Sequence, residues 1–340
     1  MQLEDIRAKT QTAPYDFLRQ NEHLGDKIVL LGLGGSHAYG TSNEQSDVDI
    51  RGVAVNARRD ILLGRDFEQV VDVPTDTTVY SFDKIVKLLC SCNPNTIELL
   101  GLKPEHYLYL SPVGERLLAN KRLFLSRLAI HSFGGYANAQ LRRLENKSAR
   151  EASQTRRENH ILQSIRHAAV DYKQKYFPYT DDEIRLYLDA SAREGFDSEI
   201  YMDVALRHYP LRDFKDLWSE MHSVVRSYEK IGKRNENAIA HNKLGKHMMH
   251  LVRLYYMCFD ILEKGEIVTY REAEHDLLMS IRDGAFLDAD SQPTPEFYEL
   301  LDALEQRLDY AGQHTDLPES VDMRAVEDFV VSVNGDICRL

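Results

Sequence analysis

Apolar positions between residues 27 and 82 fall into four short runs. Lys27 to Leu33 is continuous and ends in glycines, Val48 to Val55 and Phe67 to Val73 follow, and Thr77 to Phe82 is rich in β-branched and aromatic residues. Runs of this length bounded by turn-forming residues predict strands. Helical spacing brackets them. Ile6 to Gln20 predicts a leading helix, Asp83 to Cys90 a helix continuing from the fourth strand, and Pro94 to Leu100 a helix with proline in its first turn. From about Ser111 the apolar repeat is three to four residues, over Val113 to Ala119, Leu123 to Arg143, Thr155 to Tyr176, Asp181 to Ala192, Ser198 to Leu206, Asp213 to Ile231 and Asn237 to Lys264. The pattern predicts an α+β chain: a small mixed β-sheet core with flanking helices over residues 1–115, then an all-α C-terminal domain over 116–340, with no internal repeat.

Composition narrows this without changing it. At 340 residues, 43% apolar and 28% charged, the chain has too many apolar residues for disorder, and no apolar run approaches the 18 or more residues of a membrane span. The opening MQLEDIRAKT mixes both charge signs and has no apolar centre, so no secretory signal is expected. Four cysteines give no disulfide framework, and a reducing cytoplasm with no membrane partner is the expected setting. Net charge is -12, yet it is zoned: residues 142–175 hold nine Lys or Arg against four Asp or Glu, and residues 226–254 hold seven against two. The balance excludes a protein that coats nucleic acid over its whole surface but leaves room for a local basic groove. Solvated helix faces would give the same zoning.

The candidate chemistry lies in KIVLLGLGGSHAYGTSNEQSDVDIRG, Lys27 to Gly52. A Walker loop fails because Thr41 stands where the phosphate-binding lysine belongs, and a dinucleotide fingerprint fails because His37 stands in place of the third glycine. Asp47 and Asp49, one residue apart on a predicted strand, face the same side. Like charges side by side repel unless a cation lies between them, so the pair predicts a divalent metal, with Mg²⁺ suited to carboxylates plus substrate phosphates. Two such ions can hold both the attacking and the leaving oxygen of a phosphoryl displacement. Gly35 and Ser36, at the strand-to-helix turn, would then let backbone N–H groups and a hydroxyl approach a triphosphate.

Gly35-Ser36, ten intervening residues, then Asp47-Val48-Asp49-Ile50 resembles the signature of the DNA polymerase β-type nucleotidyltransferase superfamily. GGSHAYGTSNEQSDVDIRG, CNPNTIELL (Cys92 to Leu100), KLGKHMMHLVRLYYMCFDILEKGEI (Lys243 to Ile267) and SIRDG (Ser280 to Gly284) together resemble, more narrowly, the nucleotidyltransferases often encoded beside RNA-repair ligases. The resemblance implies a third carboxylate on a neighbouring strand that binds metal and accepts the proton of the attacking hydroxyl. Asp76, opening the fourth strand, is the choice; Asp72 and Asp83 are the rivals, and a plain turn role for Asp76 is the alternative.

Within Asn237 to Lys264, Leu244, Met248, Leu251, Tyr255, Cys258 and Leu262 form one stripe, and Lys243, Lys246, His247, His250 and Arg253 another. The resemblance implies that the basic stripe, Lys243, Lys246, His250 and Arg253, helps hold the triphosphate, although water or acidic segments of the same chain would also satisfy it. Expected partners are therefore an NTP, two Mg²⁺ or Mn²⁺ ions held by Asp47, Asp49 and Asp76, and a hydroxyl acceptor, with an RNA 3' end favoured over DNA. His160, Tyr172 and Tyr176 are available for stacking in the first basic segment. Two other functions compete: a non-catalytic nucleotide- or protein-binding module of the same fold, and a ribonuclease of the HEPN type using Arg234 and His241.

Overall fold

The computed structural model describes residues 2–44, 46–134, 176–192, 198–230, 244–288 and 293–339, with individual positions between 158 and 175. The chain forms two compact units, one of Met1–Gln140, Met248–Phe286 and Pro295–Leu340, the other of Leu141–His247 and Leu287–Thr294, so the region 116–340 contributes to both.

The larger unit is built on a five-stranded mixed sheet. Its strands are β1 (Ile28–Gly34), β2 (Asp49–Ala54), β3 (Gln69–Asp72), β4 (Thr77–Ser81) and β5 (Tyr107–Leu110), in the order β3-β4-β2-β1-β5. β1 is flanked on both sides and buried almost throughout, which explains why its sequence is continuously apolar rather than alternating. β2 runs antiparallel to β1 and parallel to β4. Leu30, Ile50, Val53, Val79, Ile85, Leu89 and Phe124 are buried in its core, each such side chain contributing roughly 1.5–3 kcal/mol. Seven helices precede residue 120: α1 (Leu3–Lys9), α2 (Phe17–Gln20), α3 (Gly35–Tyr39), α4 (Arg58–Leu63), α5 (Phe82–Cys90), α6 (Pro94–Ile97) and α7 (Pro112–Ala119). Ser81, Asn93 and Ser111 cap α5, α6 and α7 by accepting a backbone N–H in the first turn. The leading helix is split, because Pro14 opens a 3₁₀ turn at Ala13–Tyr15 between α1 and α2.

The four expected strands are present, and β5 is an addition. The smaller unit corrects the all-α expectation for the C-terminal region, which is mostly helical: Ile184–Ala190 (β6) and Ser198–Val204 (β7) form an antiparallel pair. Their apolar residues recur with period two, and the register places Ile184, Leu186 and Leu188 on one face with Val204, Met202 and Ile200. That face covers a core containing Ile161, Ile165, Leu217 and Met221. Among the described residues no helix is long and apolar enough to cross a membrane. All four cysteines are free, and Cys92 and Cys258 are buried.

Candidate active site

The glycine-rich turn and the first acids meet where β1 leaves the sheet. Gly34 pairs with Asp49 across the β1–β2 ladder, and the chain then turns into α3 through Gly35 at φ 57°. A Cβ built on Gly35 would overlap the Asp49 carboxylate. The glycine is required twice, by the left-handed backbone and by the carboxylate pressed against it. Ser36 is buried, as is Val48, while Asp47 is exposed and Asp49 half-buried. Burial thus alternates through 47–50, although Asp47 precedes β2, which opens at Asp49.

Asp76 stands at the same end of the sheet. Ile50 pairs with Thr77 in the parallel β2–β4 ladder, so the residues one position earlier, Asp49 and Asp76, are level. Asp76 has φ 45°, and its carbonyl accepts from the Ile50 N–H at 3.2 Å. Arg51 closes around it, donating to the Asp76 carbonyl at 2.6 Å and to its Oδ1 at 3.2 Å, while the Asp76 side chain remains 60% exposed. Of the rivals, Asp72 is spent on its own turn, accepting from the Thr75 N–H and hydroxyl. Asp83 lies in the first turn of α5, where burial, with Asp66 nearby, pushes its carboxyl above the usual range.

Beneath this edge lies a buried ionic group that sequence reasoning did not assign. The Tyr39 hydroxyl donates to both Glu98 carboxylate oxygens at 3.0 Å, and Arg253 donates to Glu98 at 3.3 Å while its guanidinium lies 3.6 Å from the Tyr39 ring centre. Burial raises the Glu98 pKa, opposed first by Arg253. The cluster joins the end of α3 to the Pro94–Gly101 segment and to the helix Leu244–Phe259. Arg282, in the SIRDG block, donates to the Thr41 carbonyl and so fixes the loop that leads to Asp47. Arg51, Glu98 and Arg282 are the residues missed; their signal was presence inside the quoted blocks, but their partners are far away in sequence.

Of the basic stripe, Lys246, His250 and Arg253 lie on the helix Leu244–Phe259 and differ in exposure. Lys243 lies outside the described residues, as do Arg234, His241 and His160. Lys246 is exposed, His250 is half-buried with its ring edge-on to Tyr39 at 5.8 Å, and Arg253 is only 4% exposed and committed to Glu98. The helix Leu244–Phe259 is buried on nearly all sides, because Met249, Val252 and Leu254 fill the flanks between the stripes. Tyr172 is buried in the core of the smaller unit, and the Tyr176 hydroxyl donates to Glu220.

The profile of the RNA repair pathway DNA polymerase beta family matches residues 2–190, more than half of the chain and all five strands of the large sheet. The chain belongs to that family. Its β1 turn, Asp47-Val48-Asp49 and Asp76 thus sit within a polymerase β-type nucleotidyltransferase fold linked to RNA repair. A phage T4 protein, described as an uncharacterized 38.9 kDa protein of the nrdC-mobD intergenic region, is 28% identical over 161 residues, which cover 44% of this chain and 47% of the phage protein. The chain therefore matches about half the length of that relative. No solved structure matches significantly.

Polymerase β-type proteins use divalent metal, and hard carboxylate oxygens such as those of Asp49, seated where a Gly35 side chain would stand, are the donor type such an ion takes. Among the described residues, no group of three or more His, Cys, Asp or Glu is gathered to hold a metal. Asp76 is paired with Arg51 instead.

Two predictions arise from this geometry. Gly35→Ala should destabilise by about 1–3 kcal/mol and weaken Mn²⁺ binding. Gly64→Ala carries similar left-handed strain at φ 62° with open space around the new Cβ, so urea unfolding should show a smaller loss and Mn²⁺ titration none. The second concerns pH. His37 is buried with Nε2 unpartnered, and burial holds its pKa below the usual histidine value; His106, with Nδ1 unpartnered, is lowered for the same first reason. A lowered folded-state pKa means the unfolded chain binds more protons below about pH 6.5, so stability is full above that pH and is lost as pH falls through it. The Tm should drop between pH 7.5 and 5.5, and His37→Gln should flatten the dependence; an unchanged slope in the variant would exclude His37 as its source.

Proposed function

We propose that this protein is a metal-dependent nucleotidyltransferase that moves a nucleoside monophosphate from an NTP to a hydroxyl acceptor, an RNA 3' end, and releases pyrophosphate. The observation carrying this reading is the alignment of Asp49 with Asp76 across β2 and β4, with Asp49 seated against Gly35. Asp47, Asp49 and Asp76 would hold two Mg²⁺ or Mn²⁺ ions, which when bound neutralise phosphate charge and make the acceptor hydroxyl more acidic. Asp76, more than half exposed, accepts the proton as the hydroxyl oxygen bonds to the α-phosphorus and the bond to the β-phosphate oxygen breaks. Gly35 lets the backbone come close to the phosphates, and Ser36 lies beside it. Arg51 stabilises Asp76 before metal enters and afterwards offers its guanidinium to phosphate oxygens. Catalysis is then mainly positioning and charge compensation.

The test is incubation with each α-labelled NTP, Mg²⁺ or Mn²⁺, and RNA bearing a free or a blocked 3' hydroxyl. Label should enter only the free-ended RNA, with equimolar pyrophosphate. Nucleotide binding without incorporation across RNA, DNA and protein acceptors would instead favour a binding module.

A further inference from the structure

Between the end of α3 and Asp47 the chain runs as an irregular loop, and the segment 270–282, in the same compact unit, meets it at three points. The Tyr270 ring is packed where a Cβ on Gly40 would stand, and Gly40 turns at φ 78°. The Arg271 N–H donates to the Tyr39 carbonyl at 3.0 Å. Arg282, the last residue of the helix His275–Arg282, spreads its guanidinium over the loop itself: one terminal nitrogen donates to the Thr41 carbonyl and the other to the Ser46 hydroxyl at 3.5 Å. Thr41 is fully buried, so its carbonyl needs a donor, and Arg282 supplies it. Ser46 closes the turn, its hydroxyl accepting from the Asn43 N–H at 2.9 Å and its own N–H donating to the Asn43 carbonyl at 3.1 Å. Asp47 is the next residue. The β1–β2 ladder begins only at Asp49, opposite Gly34, so Asp47 lies outside the pairing that places Asp49.

We propose that Arg282 is a positioning residue for nucleotide transfer: by gripping both ends of the 41–46 loop, it holds the backbone from which Asp47 reaches the metal. A two-point grip suits a planar guanidinium fork and not an ammonium, whose donors leave from a single nitrogen. The charge of Arg282 opposes this role. A cation bonded one residue from Asp47 disfavours a second cation there, so loss of charge alone would tighten metal binding, whereas loss of the grip would weaken it. The two effects carry opposite signs. The inference deepens the transferase reading and rests on it, because that reading makes Asp47 a metal ligand.

The experiment follows amide hydrogen exchange in the full chain without metal, then titrates Mn²⁺ by electron paramagnetic resonance without NTP, then measures transfer. Arg282→Ala should speed exchange over residues 41–47 while leaving β1 and β2 unchanged. It should weaken Mn²⁺ binding by about tenfold or more and lower kcat by about 10–100-fold, with the KM for NTP within about threefold of wild type. Arg282→Lys, which keeps the charge and loses the fork, should show the same changes in smaller degree, and it decides by the same readouts if Arg282→Ala does not fold. Unchanged or tighter Mn²⁺ binding by folded Arg282→Ala, or full Mn²⁺ affinity in Arg282→Lys, would overturn the proposal. Wild type that binds Mn²⁺ and transfers label beside variants that match it would remove Arg282 alone. Wild type that does neither would remove the transferase reading, and this role with it, even where exchange shows the loop loosened.

Discussion

Asp49→Asn should abolish nucleotide transfer, by at least about 10³-fold, while changing folding stability by less than about 1 kcal/mol. The substitution keeps the shape of the side chain against Gly35 and removes one negative charge from a site that also contains Asp47 and Asp76. In the proposed site, loss of that charge would remove one of the three carboxylates that hold the metal. Relief of repulsion among the acids offsets any lost packing, so the unfolding midpoint in urea should stay near wild type. A variant that transfers label normally would show that Asp49 touches neither metal nor nucleotide; a variant that fails to fold would show that the carboxylate serves structure instead.

Glu98→Ala should produce the largest loss of stability, about 3–5 kcal/mol, because it leaves the Arg253 guanidinium buried without its partner. Arg253 is 4% exposed, and its Nε is already unpartnered, so it has no alternative route to water. The Tyr39 hydroxyl would lose both of its contacts as well. Glu98→Ala/Arg253→Met should recover part of the loss, since removing both charges is less damaging than removing one. Thermal unfolding monitored by circular dichroism should show a Tm about 10 °C below wild type for the single variant and an intermediate value for the pair. Additive losses would mean that the two residues do not act as a unit.

The parts of the site that were legible in the sequence are those whose information is local. A glycine turn after a buried strand, and two aspartates one residue apart, carry their geometry in their spacing. The strand after Asp76 was legible from its pattern, but that Asp76 stands just before it at φ 45°, bonded to Arg51, was not. That contact spans 25 residues, and the Glu98–Arg253 pair spans 155. No local pattern distinguishes a lysine or arginine awaiting phosphate from one buried against a carboxylate. Arg253 was therefore read outward from the helical repeat, whereas tertiary packing turned it inward. The hairpin β6–β7 was misread for another reason: its alternating residues, such as Ile184, Leu186 and Leu188, lie in a charged stretch whose three- and four-residue spacings mimic an amphipathic helix. β5 was missed because Tyr107–Leu110 is only four residues long and gains its strand identity from pairing with β1.

The central claim is that the carboxylates at the joined ends of β2 and β4 hold the metal for nucleotide transfer. Anomalous diffraction from crystals grown with Mn²⁺ and a non-hydrolysable NTP tests it most directly. The account predicts Mn²⁺ peaks bonded to oxygens of Asp47 and Asp49, with Asp76 released from Arg51 and turned toward one of them. Triphosphate bound with no Mn²⁺ at these aspartates, or Mn²⁺ held elsewhere while the Arg51–Asp76 pair stays closed, would contradict it.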